Sequence, residues 1–224
     1  MLKNVLLIAF MCIVGIAIVS FFIYSISKCG NIGNELLQIQ AKKRKGKVIK
    51  PSVFSFEFTK PILFFYHNDI KISLFPFGAK PAIGASGTMI PPAALYHILI
   101  KFNLDSLKGF NLFIRSKSIY TEIVKLVKFN LINIQVGNPA FNEEFVIKTN
   151  NENLAYSVLT NNIQNKLLEY SEYSEYYYKL VKPIIKIGKG SFILTLPAIP
   201  KTDKGYDDVI DIALMFCDRL KEIG

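Results

Sequence analysis

Hydrophobic and polar positions divide the chain into three unequal stretches. From Val5 to Ile26 there are 22 residues without one charge. Leu6, Leu7, Ile8, Phe10, Ile13 and Val14 begin an apolar surface that covers every side of a helix. Residues 27–50 show no apolar periodicity beyond a short helical stub at Asn34–Gln40, carried by Leu36, Leu37 and Ile39. From Pro51 onward, strand-like alternation and helical spacing take over. Val53–Phe58, Ile62–Tyr66, Ile70–Phe75, Leu95–Phe102, Asn111–Arg115, Leu131–Val136 and Glu144–Thr149 read as strands. His67-Asn68-Asp69 and Gly188-Lys189-Gly190 are hairpin turns, the second joining Pro183–Ile187 to Ser191–Leu196. Helices are expected from Ser118 to about Lys128, after Asn150 or Asn151, after Thr160, and over Asp207–Glu222. The Gly- and Pro-rich stretch 76–92 reads as a loop. The pattern predicts one α+β domain over 51–224, with a mainly antiparallel sheet and a C-terminal helix.

At 1.5 Å per residue, the 22 residues of the first stretch span roughly 33 Å as a helix, enough for a bilayer core of about 30 Å. A cleaved leader fits less well, because the apolar run is longer than a leader's and no small-x-small site follows it. Residues 5–26 are therefore expected to form an uncleaved transmembrane helix, which makes the lipid bilayer the first expected partner. Lys28 and the cluster Lys42, Lys43, Arg44, Lys45, Lys47 and Lys50 follow it, whereas only Lys3 precedes it. Basic flanks stay in the cytoplasm, so the N-terminus is expected outside and the large domain inside.

Charge sharpens this picture. The net charge is +10, and between residues 28 and 50 seven basic residues stand against Glu35 alone. The pI of 9.4 and the mean hydropathy of +0.31 thus come largely from the N-terminal fifth of the chain. A nucleic-acid binder spreads its positive charge over the folded domain, so that class is not favoured. Residues 27–50 read as a basic juxtamembrane linker. Its lysines serve either as a solvated topology signal or as a tether to anionic headgroups at the membrane surface.

Ile134-Gln-Val-Gly-Asn-Pro-Ala-Phe141-Asn-Glu-Glu-Phe-Val-Ile-Lys148, followed by Asn150-Asn-Glu-Asn-Leu-Ala155 and Leu159-Thr160, is the most distinctive segment. It resembles a group of uncharacterised, mostly bacterial, membrane-anchored proteins with a Gly-acid-Pro-x-Phe-acid turn before a Phe-Val-x strand. The likeness covers roughly residues 130–222 and implies a membrane-tethered α+β domain. Asn138 and Asn142 stand where that group often carries acids, which argues against metal or acid–base work there. Read from the residues alone, Gly137-Asn138-Pro139 makes a turn, and Phe141 and Phe145 drop into the core.

The chemistry of a known enzyme class does not emerge. His67 and His97 are 30 residues apart, and Cys12, Cys29 and Cys217 are scattered, so no metal site or redox pair is implied. Gly78–Gly87 lacks the Gly-Lys-Ser/Thr ending of a phosphate loop, and there is no Gly-x-Ser-x-Gly elbow. Glu143 and Glu144 are adjacent, so in a strand they face opposite ways. No cofactor is implied. The tract from Glu169 to Tyr178 repeats with period three, and as a helix it would align Tyr170, Tyr173 and Tyr177. It is either a ridge for a protein partner or a helix lying on the domain's own sheet. The reading favoured is a binding or scaffolding domain at the cytoplasmic membrane face. The alternatives are a tethered enzyme with its site near the 76–92 loop, or an exported ligand-binding domain.

Overall fold

Alternating apolar residues build the sheet that organises this domain. The computed structural model describes residues 35–49, 61–78, 96–105, 108–117, 131–174 and 179–224. The charge-free segment 5–26, the strand expected at 53–58, most of the 76–92 loop and the helix expected at 118–128 lie outside them.

The described residues begin with helix α1 (residues 35–43) and continue through strands β1 (Lys47–Ile49), β2 (Ile62–His67), β3 (Ile70–Gly78), β4 (Tyr96–Asn103), β5 (Leu112–Ser116) and β6 (Ile132–Ile134). Helix α2 (Pro139–Glu144), strand β7 (Phe145–Thr149) and helices α3 (Glu152–Val158) and α4 (Asn161–Glu169) follow. Strands β8 (Glu172–Ser174), β9 (Lys179–Val181), β10 (Ile184–Gly188) and β11 (Ser191–Leu196) lead to the terminal helix α5 (Asp203–Ile223). Among the described residues, nine strands form one sheet in the order β1-β2-β3-β4-β11-β10-β5-β7-β6, and each neighbouring pair is antiparallel. The α+β class, the mainly antiparallel sheet and the C-terminal helix are as the pattern predicts.

Period-two alternation puts Leu63, Phe65, Ile72, Leu74, Ile98, Ile100, Phe102, Phe192 and Leu194 on one buried face. Helix α5 lies across it, with Val209, Ala213, Phe216 and Leu220 buried at helical spacing. Phe102 stacks on Phe192 with centroids 4.5 Å apart, and Phe192 meets Phe216 at 5.2 Å. These rings join the middle of the sheet to the helix. Helices α3 and α4 flank α5. Both hairpin turns form as expected. Asn68 and Asp69 adopt φ of 48° and 66°, Lys189 and Gly190 of 53° and 71°, the left-handed pairs a two-residue hairpin loop demands.

Several elements depart from the sequence reading. The C-terminal helix begins at Asp203, capped by the Thr202 hydroxyl on the Gly205 N–H, rather than at Asp207. Glu143 and Glu144 end the short helix α2, and the following strand starts at Phe145. Asn138 caps that helix and Pro139 takes its first turn, where a missing N–H costs nothing. The tyrosine tract is not one helix. Tyr170 ends α4 and is buried, while Tyr173 stands on β8 opposite Leu180 of β9, so the expected common face does not exist. Tyr177 lies outside the described residues. Within the stretch read as a linker, residues 35–49 form α1, where the stub at 34–40 is expected, and the edge strand β1 of the main sheet.

Candidate functional site

Residues 35–49 fold because their few apolar side chains are concentrated on one side and their polar ones meet partners far along the chain. In α1, Leu37 and Ala41 are buried, and Gln40 is fully buried between them. The helix ends in a tight turn: Lys45 takes φ 51°, and the Gly46 N–H donates to the Ala41 carbonyl at 2.8 Å. Gly46 passes so close to β2 that a Cβ there would lie 2.5 Å from the Phe64 carbonyl oxygen and 2.9 Å from the Phe65 Cβ. Only glycine fits that approach, and it lets β1 pair with β2.

The polar side of α1 meets the first half of α5. Gln40 Nε2 donates to Asp203 Oδ1 at 2.7 Å and to Asp207 Oδ1 at 3.1 Å. Lys43 bonds Asp203 and reaches Asp207 at 2.6 Å. Arg44 holds Asp207 at 3.0 Å and Asp211 at 3.5 Å, and also donates to the Gln40 amide oxygen. Burial pushes the Asp207 carboxyl up, but bonds from Lys43, Arg44 and Gln40 outweigh it and hold the group below the usual carboxylate range. The same bonds to Asp203 and Asp207 raise the Lys43 ammonium.

The six basic residues expected at the membrane surface therefore divide. Lys43 and Arg44 are engaged with α5, whereas Lys42, Lys45 and Lys47 are exposed and Lys50 lies outside the described residues. Lys47 stands directly across from Phe64, on the sheet face opposite α5. On that face Phe64 also carries the Lys71 ammonium, 4.3 Å from its ring centroid. Ile49 and Tyr66 flank this group and are 56% and 70% exposed.

Two further polar clusters lie on α5. Near its C-terminal end, His67 Nε2 is 2.6 Å from Asp218 Oδ1, which also accepts from Asn68 at 2.8 Å, tying the β2–β3 turn to the helix. At its N-terminal end a cleft of about 340 Å³ is lined by Lys166, Tyr170, Glu172, Thr202, Lys204 and Asp208 among others. Asp208 bridges Lys166 at 3.2 Å and Lys204 at 2.7 Å. Burial lifts its carboxyl, yet those two lysines bring it below the ordinary value. Burial raises Glu172, and raises the Tyr170 phenol far above its ordinary value with help from Glu172 and Asp208. Among the described residues, the Tyr170 and Tyr206 hydroxyls are buried with no hydrogen-bond partner. No group of three His, Cys, Asp or Glu suited to a metal occurs among the described residues. Cys217 is buried, which pushes its thiol up to about 11.

The pairing of the α5 acids with α1 escaped the sequence reading, although a signal was present. Asp203, Asp207 and Asp211 recur every fourth residue, which lines them along one side of a helix. The segment 137–145, in contrast, is structural as expected. Phe141 and Phe145 are buried and stacked 4.5 Å apart. Asn142 bonds the Val136 backbone in both directions, at 2.9 and 2.6 Å.

No family model matches this chain, and no curated protein matches it. A solved structure does: that of the mycobacterial trehalose monomycolate transport factor A, TtfA. It aligns with a TM-score of 0.53 at 10% identity, over 84% of this chain and 94% of that one. At that identity the likeness is one of fold alone.

Proposed function

We propose that this chain is a single-pass membrane protein whose α+β domain binds or scaffolds at the cytoplasmic membrane face. One observation carries the reading. The charge-free run 5–26 ends only eight residues before α1, and α1 is locked to α5 rather than hanging from a loose linker. A segment apolar on all sides needs lipid or protein around it, and its length suits a bilayer. Among the described residues no helix is long and apolar enough to cross a membrane, so residues 5–26 are the segment assigned to that task.

The basic residues that follow the run favour the cytoplasmic side for the domain. The resemblance of the 134–160 segment to membrane-anchored proteins favours a membrane tether, without bearing on the side. The fold neighbour is named as a transport factor. A binding domain that serves transport is the form of this reading which that analogy favours. The β8–β9 ribbon, with Tyr173 46% and Leu180 62% exposed on facing positions, is the surface we assign to a protein partner.

Fractionation tests the anchor. The full chain should pellet with membranes and resist a high-salt wash, and a chain lacking residues 1–27 should be recovered in the supernatant. A truncated chain that still pellets after the wash would place the anchor elsewhere.

A further inference from the structure

Charge is segregated across this fold. Among the described residues, none of the nine strands in the main sheet carries Asp or Glu, whereas α5 alone holds Asp203, Asp207, Asp208, Asp211, Asp218 and Glu222. The face opposite α5 is therefore acid-free along its described strands, and at the β1 end its described side chains include exposed ones. There, register brings Lys47, Phe64 and Ser73 into one row, with Tyr66 beside Lys71 and Ile49 beside Ile62 in the rows on either side. Lys47, Lys71 and, in the turn before β1, Lys45 are exposed, as are Ile49 and Tyr66.

We propose that this β1 end of the outer sheet face rests on anionic lipid headgroups, with Ile49 and Tyr66 at the interface and Lys45, Lys47 and Lys71 on the phosphates. The proposal rests on the membrane-anchored reading above and deepens it by naming the surface that meets the bilayer.

Three features favour a bilayer as the occupant. Tyrosine and lysine around aliphatic side chains are the mixture found where protein meets headgroups, the ring at headgroup depth and the ammonium groups outward. The lack of acids on the described strands lowers the repulsion that an anionic surface would otherwise meet, with Asp69 in the β2–β3 turn the nearby exception. Reach is sufficient too: residues 27–34, even fully extended, hold α1 within about 30 Å of the end of the apolar run. The turn at residues 44–46 then delivers β1 directly from α1. Ile132, at the opposite edge of the sheet, is as exposed as Ile49 but has no such tether.

The division of the basic cluster follows from the same geometry. Lys43 and Arg44 grip α5 and fix the orientation of α1, while their neighbours Lys45 and Lys47 are left facing outward. The α1–α5 contact thereby sets which face of the domain is turned to the bilayer.

Depth-dependent quenching tests this on the full chain in vesicles of phosphatidylcholine, alone or mixed with phosphatidylglycerol. Tyr66→Cys, with Cys12→Ser and Cys29→Ser, would carry an environment-sensitive fluorophore; buried Cys217 stays in place. Asn162→Cys, on the exposed start of α4, is the control. With phosphatidylglycerol present, a lipid bearing a headgroup-level nitroxide should quench position 66 severalfold more than position 162. The difference should shrink in phosphatidylcholine alone and in the triple variant Lys45→Gln, Lys47→Gln, Lys71→Gln. Equal quenching at the two positions, or a difference indifferent to lipid charge and to the lysines, would overturn the proposal. So would protection at position 66 that grows with protein concentration, which would mean a second copy on the β1 edge. A chain that does not float with the vesicles at all would instead overturn the anchored reading itself.

Discussion

Arg44 and Asp207 lie 3.0 Å apart in space and 163 residues apart in the chain. Their contact closes the domain on itself. It joins the first described helix to the last, and it converts what the local sequence presents as a basic linker into a fixed part of the fold. Arg44 is the better buried of the two, its side chain only 15% exposed against 30% for Asp207.

Loss of that contact should therefore register as stability. Arg44→Ala is expected to cost about 1–2 kcal/mol, between an exposed pair and a buried charged hydrogen bond. Because the folded Asp207 carboxyl titrates below its ordinary value, its contribution is present above the ordinary carboxylate pKa and is lost as pH falls through the depressed one. Thermal melts of parent and variant should accordingly converge in acid. A gap that stays constant as the pH is lowered would mean that Arg44 acts through packing instead.

Gly46 gives an uncharged test of the same region. A Cβ at this position would collide with the backbone of β2, which cannot give way as the tip of a side chain can. Gly46→Ala should lower stability by about 1–3 kcal/mol, the usual range for overpacking. Were residues 35–49 a free linker, the substitution would be silent in the melt.

The segment 137–145 makes an ordered set of expectations. Phe141→Ala or Phe145→Ala should each cost about 3–5 kcal/mol, since both rings are buried and stacked on each other. Asn142→Ala removes two bonds to Val136 and should cost less, about 1–2 kcal/mol. Denaturant midpoints for the three variants check the order. If the Phe variants unfold with the parent, the segment is not core and belongs to a binding surface.

Strands were the legible part of this fold because burial on one face writes a period of two directly into the sequence, as Leu63, Phe65 and Leu74 show. Hairpin turns were legible for a similar local reason, the left-handed residues at Asn68-Asp69 and Lys189-Gly190. What sequence patterning missed depends on partners far away. The stub at 34–40 has too few apolar residues to declare itself a docked helix, and Gln40 is buried only because Asp203 and Asp207 satisfy it. Lys-Gly at 204–205 disguised the first turn of α5, although the Thr202 cap marks it. Periodicity in the tyrosine tract suggested a helix, but Tyr173 is paired across a ribbon with Leu180. The candidate membrane surface was half legible: its lysines cluster in sequence, whereas Tyr66 and Lys71 join them only through strand register.

Tyr206 is a fourth point of test. Its hydroxyl is fully buried and has no partner among the described residues, so its desolvation is uncompensated. Tyr206→Phe should leave the melting temperature unchanged or raise it. A fall corresponding to about 1 kcal/mol would mean that the hydroxyl is bonded in solution, through water or a molecule held near the cleft beside Tyr170.

The most direct measurement of the central claim is thiol labelling in intact cells. Asn162→Cys would be placed in the full chain with Cys12→Ser and Cys29→Ser, leaving buried Cys217 as it is. The protein should be found in the membrane pellet and should react with an impermeant maleimide only after lysis. Labelling before lysis, or recovery of the full chain in the soluble fraction, would contradict an anchored domain at the cytoplasmic face.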